Sequence, residues 1–198
     1  ELAPVHVPVW GTQVLTPYVG KDYASVTLRT KLDGLKEGET VEIETAVRNA
    51  AGAVVATKTD RRQPAYGQPF EQHLTVDRPE LWSPETPALY TAESRVRVGG
   101  VEVDRYTTRF GIRTIEVRAD KGFFLNGELR PFKGVCLHHD LGPLGAAVNR
   151  AAIRRQLTML RDMGCNAVRT SHNMPAEALV ELCDEMGFMV MVEPFDEW

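Results

Sequence analysis

Phe132-Lys133-Gly134-Val135-Cys136-Leu137, Asn166-Ala167-Val168-Arg169-Thr170 and Phe188-Met189-Val190-Met191-Val192 are three short predicted strands, the first and third nearly continuous apolar runs. Between the first two lies an amphipathic stretch, residues 150–163. In it Ile153, Leu157 and Leu160 fall at i, i+4 and i+7 and share one helical face. Asn149 can cap its start and Gly164 its end. A second helix is predicted between the later runs, opened by Pro175, turning Leu179, Leu182 and Met186 inward and closed by Gly187. Strand–helix–strand–helix–strand with links this short predicts parallel βαβ units, covered on both faces. In such folds functional groups gather where the strands end.

Upstream of residue 111 the pattern changes to short runs of period two. Val41, Ile43 and Thr45 fall on one face of residues 40–47, and Glu42 and Glu44 on the other. Residues 89–98 and 101–110 repeat this alternation on either side of Gly99-Gly100, a two-residue hairpin signal. Further strands are predicted near residues 10–17, 23–32, 53–60 and 70–76, punctuated by Asp33-Gly34, Ala51-Gly52 and the residues between Pro64 and Pro69. About seven antiparallel strands in roughly 100 residues predict an immunoglobulin-like β-sandwich, with Trp82 and Tyr90 in its core. A small hairpin turning at Asn126-Gly127 stands between the two halves.

The 198 residues are 43% hydrophobic and 25% charged, the composition of a globular protein with a sizeable core. Lys and Arg total 23 against 27 Asp and Glu, a net charge of −4, and the longest basic clusters are the pairs Arg61-Arg62 and Arg154-Arg155. Nucleic acid binding needs clustered cations, so nucleic acid is not an expected partner. No run approaches the roughly 18 apolar residues of a membrane span, so no membrane association is expected. Glu1-Leu2-Ala3-Pro4 does not read as the start of a signal peptide. Cys136, Cys165 and Cys183 lack paired spacing and are expected as buried free thiols, not as a disulfide framework or a four-cysteine zinc site. A closed (β/α)8 barrel takes about 250 residues, so a barrel in this chain is a partial one.

Polar groups collect at the three predicted strand ends. His138-His139-Asp140 follows the first run, Arg169 and Ser171-His172-Asn173 end the second, and Glu193-Pro194-Phe195-Asp196-Glu197-Trp198 follows the third. Imidazole, carboxylate, guanidinium and amide groups beside aromatic rings suit a sugar, whose hydroxyls take directed hydrogen bonds while its C–H face packs on a ring. Two other readings use the same chain. His138, His139, Asp140, His172 and Glu193 are chemically able to hold zinc in a barrel metallohydrolase, although adjacent histidines rarely point at one ion. A non-catalytic carbohydrate-binding or scaffolding module would account for the sandwich.

The order of phrases along the chain is more specific. Asn166-Ala167-Val168-Arg169-Thr170-Ser171-His172-Asn173-Met174-Pro175, then Asp184-Glu185-Met186-Gly187 and four apolar residues, resembles the first signature of glycoside hydrolase family 2. The β-galactosidases, β-glucuronidases and β-mannosidases of that family share it. Leu81-Trp82-Ser83-Pro84-Glu85-Thr86-Pro87-Ala88-Leu89-Tyr90 resembles the Trp-x-Pro-x-x-Pro-x-Leu-Tyr phrase of the family's central sandwich. Phe110-Gly111-Ile112-Arg113, Phe124-Leu125-Asn126-Gly127 and Lys133-Gly134-Val135 with His138 resemble the phrases leading into its barrel. The resemblance implies an all-β immunoglobulin-like sandwich over residues 1–111, then over residues 112–198 the first βα units of a truncated (β/α)8 TIM barrel.

It also implies the chemistry. Family enzymes are retaining: one glutamic acid protonates the leaving oxygen and a second attacks the anomeric carbon, the two lying about 5–5.5 Å apart. Both are expected beyond residue 198, so the chain is expected to carry no catalytic residue and to be inactive alone. His138 and His172 match positions against the sugar, where their N–H groups would stabilise hydroxyls and developing charge. Arg169 matches one that supports the nucleophile, and Asp140 a hydroxyl acceptor. Asn173 lies in a phrase one residue longer than the commoner Tyr-Pro. These five form the expected substrate site. His139 stands where many members carry Glu. Val192-Glu193-Pro194 departs from the usual Asp-Glu-Ala, so Glu193 receives no catalytic role. No metal or other cofactor is expected. The expected substrate is a carbohydrate with a terminal β-linked sugar. A β-galactoside leads, because the Ser-His-Asn and Glu-Pro-Phe-Asp-Glu-Trp phrases resemble bacterial β-galactosidase-like members. A homo-oligomeric parent is compatible with the sequence, as is a periplasmic or extracellular one.

Overall fold

A computed structural model describes residues 3–64 and 67–195. Contacts divide the chain into two units, Glu1–Glu80 with Leu89–Ile112, and Leu81–Ala88 with Arg113–Trp198. The first contains β1 (Thr12–Val19), β2 (Tyr23–Thr30), β3 (Val41–Arg48), β4 (Val54–Arg62), β5 (Phe70–Asp77), β6 (Tyr90–Val98) and β7 (Val101–Phe110). They form a three-stranded sheet of order β1-β2-β5 and a four-stranded sheet of order β4-β3-β6-β7, with antiparallel neighbours throughout. This is the sandwich predicted from period two. Val41, Ile43, Thr45 and Val47 are buried and alternate with half-buried neighbours, as do Tyr90, Ala92, Ser94 and Val96. Gly99 and Gly100 both have positive φ, 59° and 82°, as the tight turn pairing Val98 with Val101 requires.

The sandwich core encloses a polar cluster that period two does not announce. Thr45 Oγ1 donates to Gln72 Oε1 at 2.7 Å and lies 2.9 Å from Ser94 Oγ, while Gln72 Nε2 donates to the Ile43 carbonyl at 3.0 Å. Burial of these groups is tolerable because they satisfy one another.

The second unit begins with β8 (Ile115–Arg118), β9 (Gly122–Leu125) and β10 (Glu128–Leu129), an antiparallel sheet of order β10-β9-β8. The turn between β9 and β10 is Asn126-Gly127, both at positive φ. β8 was not predicted; all four of its residues are exposed, so it carries no alternation to read. Then come β11 (Gly134–Leu137), α1 (Arg150–Asp162), β12 (Ala167–Thr170), α2 (Glu177–Met186) and β13 (Met189–Val192). β11, β12 and β13 are parallel and adjacent in that order, with Cys136 opposite Arg169 and Arg169 opposite Met191. Ile153, Leu157, Leu160, Leu182 and Met186 of the helices pack with Val168 and Phe188, and Val135, Leu137 and Val190 join them. Period two then turns Gly134, Cys136, Arg169 and Met191 to the other face of the sheet.

The structure departs from three expectations. α2 starts at Glu177 after an Ala176 cap with extended backbone, so Pro175 precedes the helix instead of opening it. Trp82 is buried, but outside the sandwich. Its indole Nε1 donates to the Asp184 carbonyl at 2.9 Å, and its own carbonyl accepts from Asn126 Nδ2 at 3.0 Å. A buried indole needs an acceptor, and the last turn of α2 has carbonyls without helical partners. The thiols also divide: Cys183 is buried and Cys165 intermediate, whereas Cys136 is exposed because it points away from the helices. Asn149 caps α1 as expected, its side chain accepting from Ala152 N at 3.0 Å.

Gly164 and Gly187 follow the two helices with φ of 88° and 79°. A Cβ on Gly164 would meet open space, whereas one on Gly187 would lie 2.2 Å from the Pro84 carbonyl oxygen. Gly164→Ala should therefore cost only the left-handed backbone, about 1–2 kcal/mol. Gly187→Ala should cost roughly 3 kcal/mol or more, because the backbone facing it cannot yield. Urea unfolding of the two variants checks this; equal losses would contradict the contact.

Candidate functional site

The C-terminal ends of β11, β12 and β13 bring side chains from three chain segments together. Arg169 of β12 is turned to the face away from the helices, with Cys136 of β11 beside it and its Nη1 3.5 Å from Cys136 Sγ. Arg169 Nε donates to Glu193 Oε1, just past β13. Glu193 Oε2 lies 2.7 Å from His172 Nδ1. The His172 ring meets the His138 ring edge-on, with centroids 5.5 Å apart and planes at 75°. The Ser171–His172 peptide is cis. Thr170 Oγ1, buried, accepts from the Glu193 backbone N–H at 3.1 Å and so ties the chain leaving β13 to β12.

The charges in this cluster adjust to one another. Partial burial by itself would raise the Glu193 carboxyl, but the hydrogen bonds from His172 and Arg169 outweigh it and hold the group below the usual carboxylate range. Arg169 is held above its ordinary value by Cys136 and then by Glu193. The Cys136 thiol is drawn below its ordinary value by the Ser171 hydroxyl and then by the Arg169 guanidinium. Cys183, in contrast, is pushed up to about 12 by burial.

Of the five expected site residues, His138, Arg169 and His172 come together. Asp140 and Asn173 do not join their hydrogen-bonded cluster. Asp140 is exposed, and its Oδ1 accepts from Gly142 N at 2.8 Å, so the carboxylate shapes its own loop. Asn173 is exposed and, with His139, Asp140 and Ser171, lines a largely apolar cavity against Ile153 and Leu179. Glu193, expected to have no catalytic role, is the residue that joins Arg169 to His172. The available signal was parity: Glu193 lies two residues beyond Met191, on the face that Arg169 occupies in register. Asp196, Glu197 and Trp198 lie outside the described residues. Among the described residues, no three His, Cys, Asp or Glu side chains are grouped to hold a metal ion, and no helix is long and apolar enough to cross a membrane.

What this arrangement can do is bind hydroxyls. It offers the Arg169 guanidinium and the His172 imidazole, both held by the Glu193 carboxylate, with the His138 ring beside them.

Comparison with known proteins gives a consistent answer. The model of glycosyl hydrolases family 2 matches residues 7–113, and that of the glycosyl hydrolases family 2 TIM barrel domain matches residues 115–196. The chain is 46% identical to β-galactosidase BoGH2A of Bacteroides ovatus, over 100% of this chain and 24% of that protein. It is 38% identical to a putative β-glucuronidase of Formosa agariphila, over 100% of this chain and 19% of that protein. The crystal structure of a glycosyl hydrolase family 2 member from Bacteroides cellulosilyticus superposes with a TM-score of 0.92 at 36% identity, covering 100% of this chain and 26% of that one. The chain thus spans about a quarter or less of the length of the curated relatives it matches.

The thiolate, not the thiol, is the nucleophile, so the cysteines should differ in reactivity. In the 198-residue chain, iodoacetamide should label Cys136 first and Cys183 only on unfolding. Arg169→Ala should slow labelling of Cys136 severalfold. Peptide mass spectrometry over a time course reads this out, and native-state labelling of Cys183 as fast as Cys136 would contradict the assignment.

Proposed function

The chain belongs to glycosyl hydrolase family 2, and on that premise we propose that its parent is a retaining glycosidase releasing terminal β-linked sugars, β-galactosides before others. The observation that carries the reading is the Arg169–Glu193–His172 cluster, with the His138 ring against it, at the ends of three parallel strands. In parallel α/β barrels that end of the strands is where substrates are handled. His138 and His172 are proposed to contact the glycone, and Arg169 to support the catalytic carboxylate that attacks the anomeric carbon. Asp140 and Asn173 are proposed on the outer lip of the same site. The two catalytic glutamates are proposed to come from later barrel strands, so the 198-residue chain by itself would give no turnover.

Relatives carry both β-galactosidase and β-glucuronidase names. The β-galactosidase match has the higher identity, 46% against 38%, which favours the neutral sugar.

The test uses the full-length protein and a panel of nitrophenyl glycosides. Cleavage of the β-galactoside with retention at the anomeric carbon, followed by NMR, is expected. Cleavage of other sugars with no β-galactoside among them would overturn the substrate assignment. His172→Ala should lower kcat/KM by about 10²–10³, the usual loss when an oriented transition-state contact is removed.

A further inference from the structure

Glu193 is held at both ends. Its backbone N–H donates to Thr170 Oγ1 at 3.1 Å, and its carboxylate reaches Arg169 through Oε1 and His172 through Oε2. Both partners belong to β12 and the residues directly after it, so one side chain from the neighbouring strand spans them. The other sides of those partners are also occupied. Arg169 Nη1 is 3.5 Å from Cys136 Sγ, and the His138 ring stands edge-on to the His172 ring at 5.5 Å between centroids.

A carboxylate can only accept hydrogen bonds. The neutral His172 ring beside it therefore carries its proton on Nδ1 and keeps Nε2 as a lone-pair acceptor. This changes what His172 can offer a ligand. Both histidines are expected to give N–H groups to the sugar, but the N–H of a neutral His172 is already committed to Glu193. The free nitrogen accepts a hydrogen bond from a sugar hydroxyl instead of donating one.

We propose that Glu193 is a positioning residue of the sugar site: it selects the His172 tautomer and fixes the Arg169 guanidinium, so that His172 presents an acceptor to a sugar hydroxyl. This rests on the reading of these strand ends as the sugar subsite of a glycosidase. The role follows from having two acceptor oxygens, not from charge alone. Glutamine in this place would accept from one partner and confront the other with its own N–H₂. Facing Arg169, that amide is donor against donor. Facing His172, it favours the opposite tautomer, with Nε2–H turned to the ligand.

Two measurements on the full-length protein test this. In ¹⁵N-histidine-labelled protein at about pH 8.5, above the ordinary histidine range, long-range ¹H–¹⁵N correlation reads which nitrogen is protonated. The His172 signals are identified by their loss in His172→Asn. Protonated Nδ1 is expected in the wild type and protonated Nε2 in Glu193→Gln. A wild-type His172 with bare Nδ1 overturns the proposal, whether or not the protein cleaves glycosides. The second measurement is kcat/KM on nitrophenyl β-galactoside. Glu193→Gln should lower it by about 10- to 100-fold, the usual cost of removing a group that orients a ligand-contacting residue. In the His172→Asn background the same change should cost less than in the wild type, because Glu193 and His172 act as one unit and only the loss through Arg169 remains. Wild-type kcat/KM in Glu193→Gln, or losses that multiply independently, would overturn it. If no glycoside is cleaved at all, the glycosidase reading falls, and the tautomer measurement still decides the role of Glu193.

Discussion

Everything in the second unit depends on how the three parallel strands divide their residues between two faces. Val135, Leu137, Val168 and Val190 meet the helices, and the residues between them cannot. Parallel strands also need crossovers, and α1 and α2 supply them while covering the apolar face. Burial of that face by Leu157, Leu182 and Phe188 is therefore what orients Arg169 the other way. A slip of one residue in β12 would place Arg169 among the helix side chains and Val168 in the site. The register Cys136–Arg169–Met191 is thus a packing result with a chemical consequence.

The segment Leu81–Ala88 shows a second constraint. Its tryptophan brings a large apolar ring with one N–H that must find an acceptor. The Asp184 carbonyl at the end of α2 provides it, Asn126 donates to the Trp82 carbonyl, and the Arg113 guanidinium lies over the ring at 5.5 Å. Arg130 adds an ion pair with Glu85 at 2.6 Å. The β9–β10 turn and α2 are thereby attached to one strand-free segment. Gly187 is the point where only a hydrogen in place of a side chain fits against Pro84.

Most of this architecture was legible because it is written in periodicity. Seven sandwich strands, both helices and three parallel strands follow from apolar spacing with glycine and asparagine at the turns. β8 was not, because Ile115, Val117 and their neighbours are all exposed and no face is selected. Trp82 was misplaced because burial is readable from a sequence whereas the identity of the burying partner is not. Within the candidate site, the strand-end positions of His138, Arg169 and His172 are legible, and the structure brings these side chains together. The partners of Asp140 are not legible, since polar residues at strand ends also serve loops, as its bond to Gly142 does. The place of Glu193 is legible only from the parity that turns its carboxylate to Arg169, not from its phrase.

The Arg169–Glu193–His172 cluster is poorly explained as a stabilising feature. The side chains of Arg169 and His172 are each 42% exposed, and that of Glu193 22%. At such exposure an ion pair contributes little to folding, since water screens it and two long side chains must be ordered to form it. Ordering is nevertheless what the cluster achieves: three polar groups from two strand ends hold one mutual geometry, anchored through a buried threonine. Any ligand or chain segment that covers this face lowers the local dielectric and strengthens each of these contacts. An arrangement that contributes little while open and more when covered fits a site that acts on what covers it. The fold packs its helices on one face of the sheet and turns the Arg169–Glu193–His172 cluster to the other.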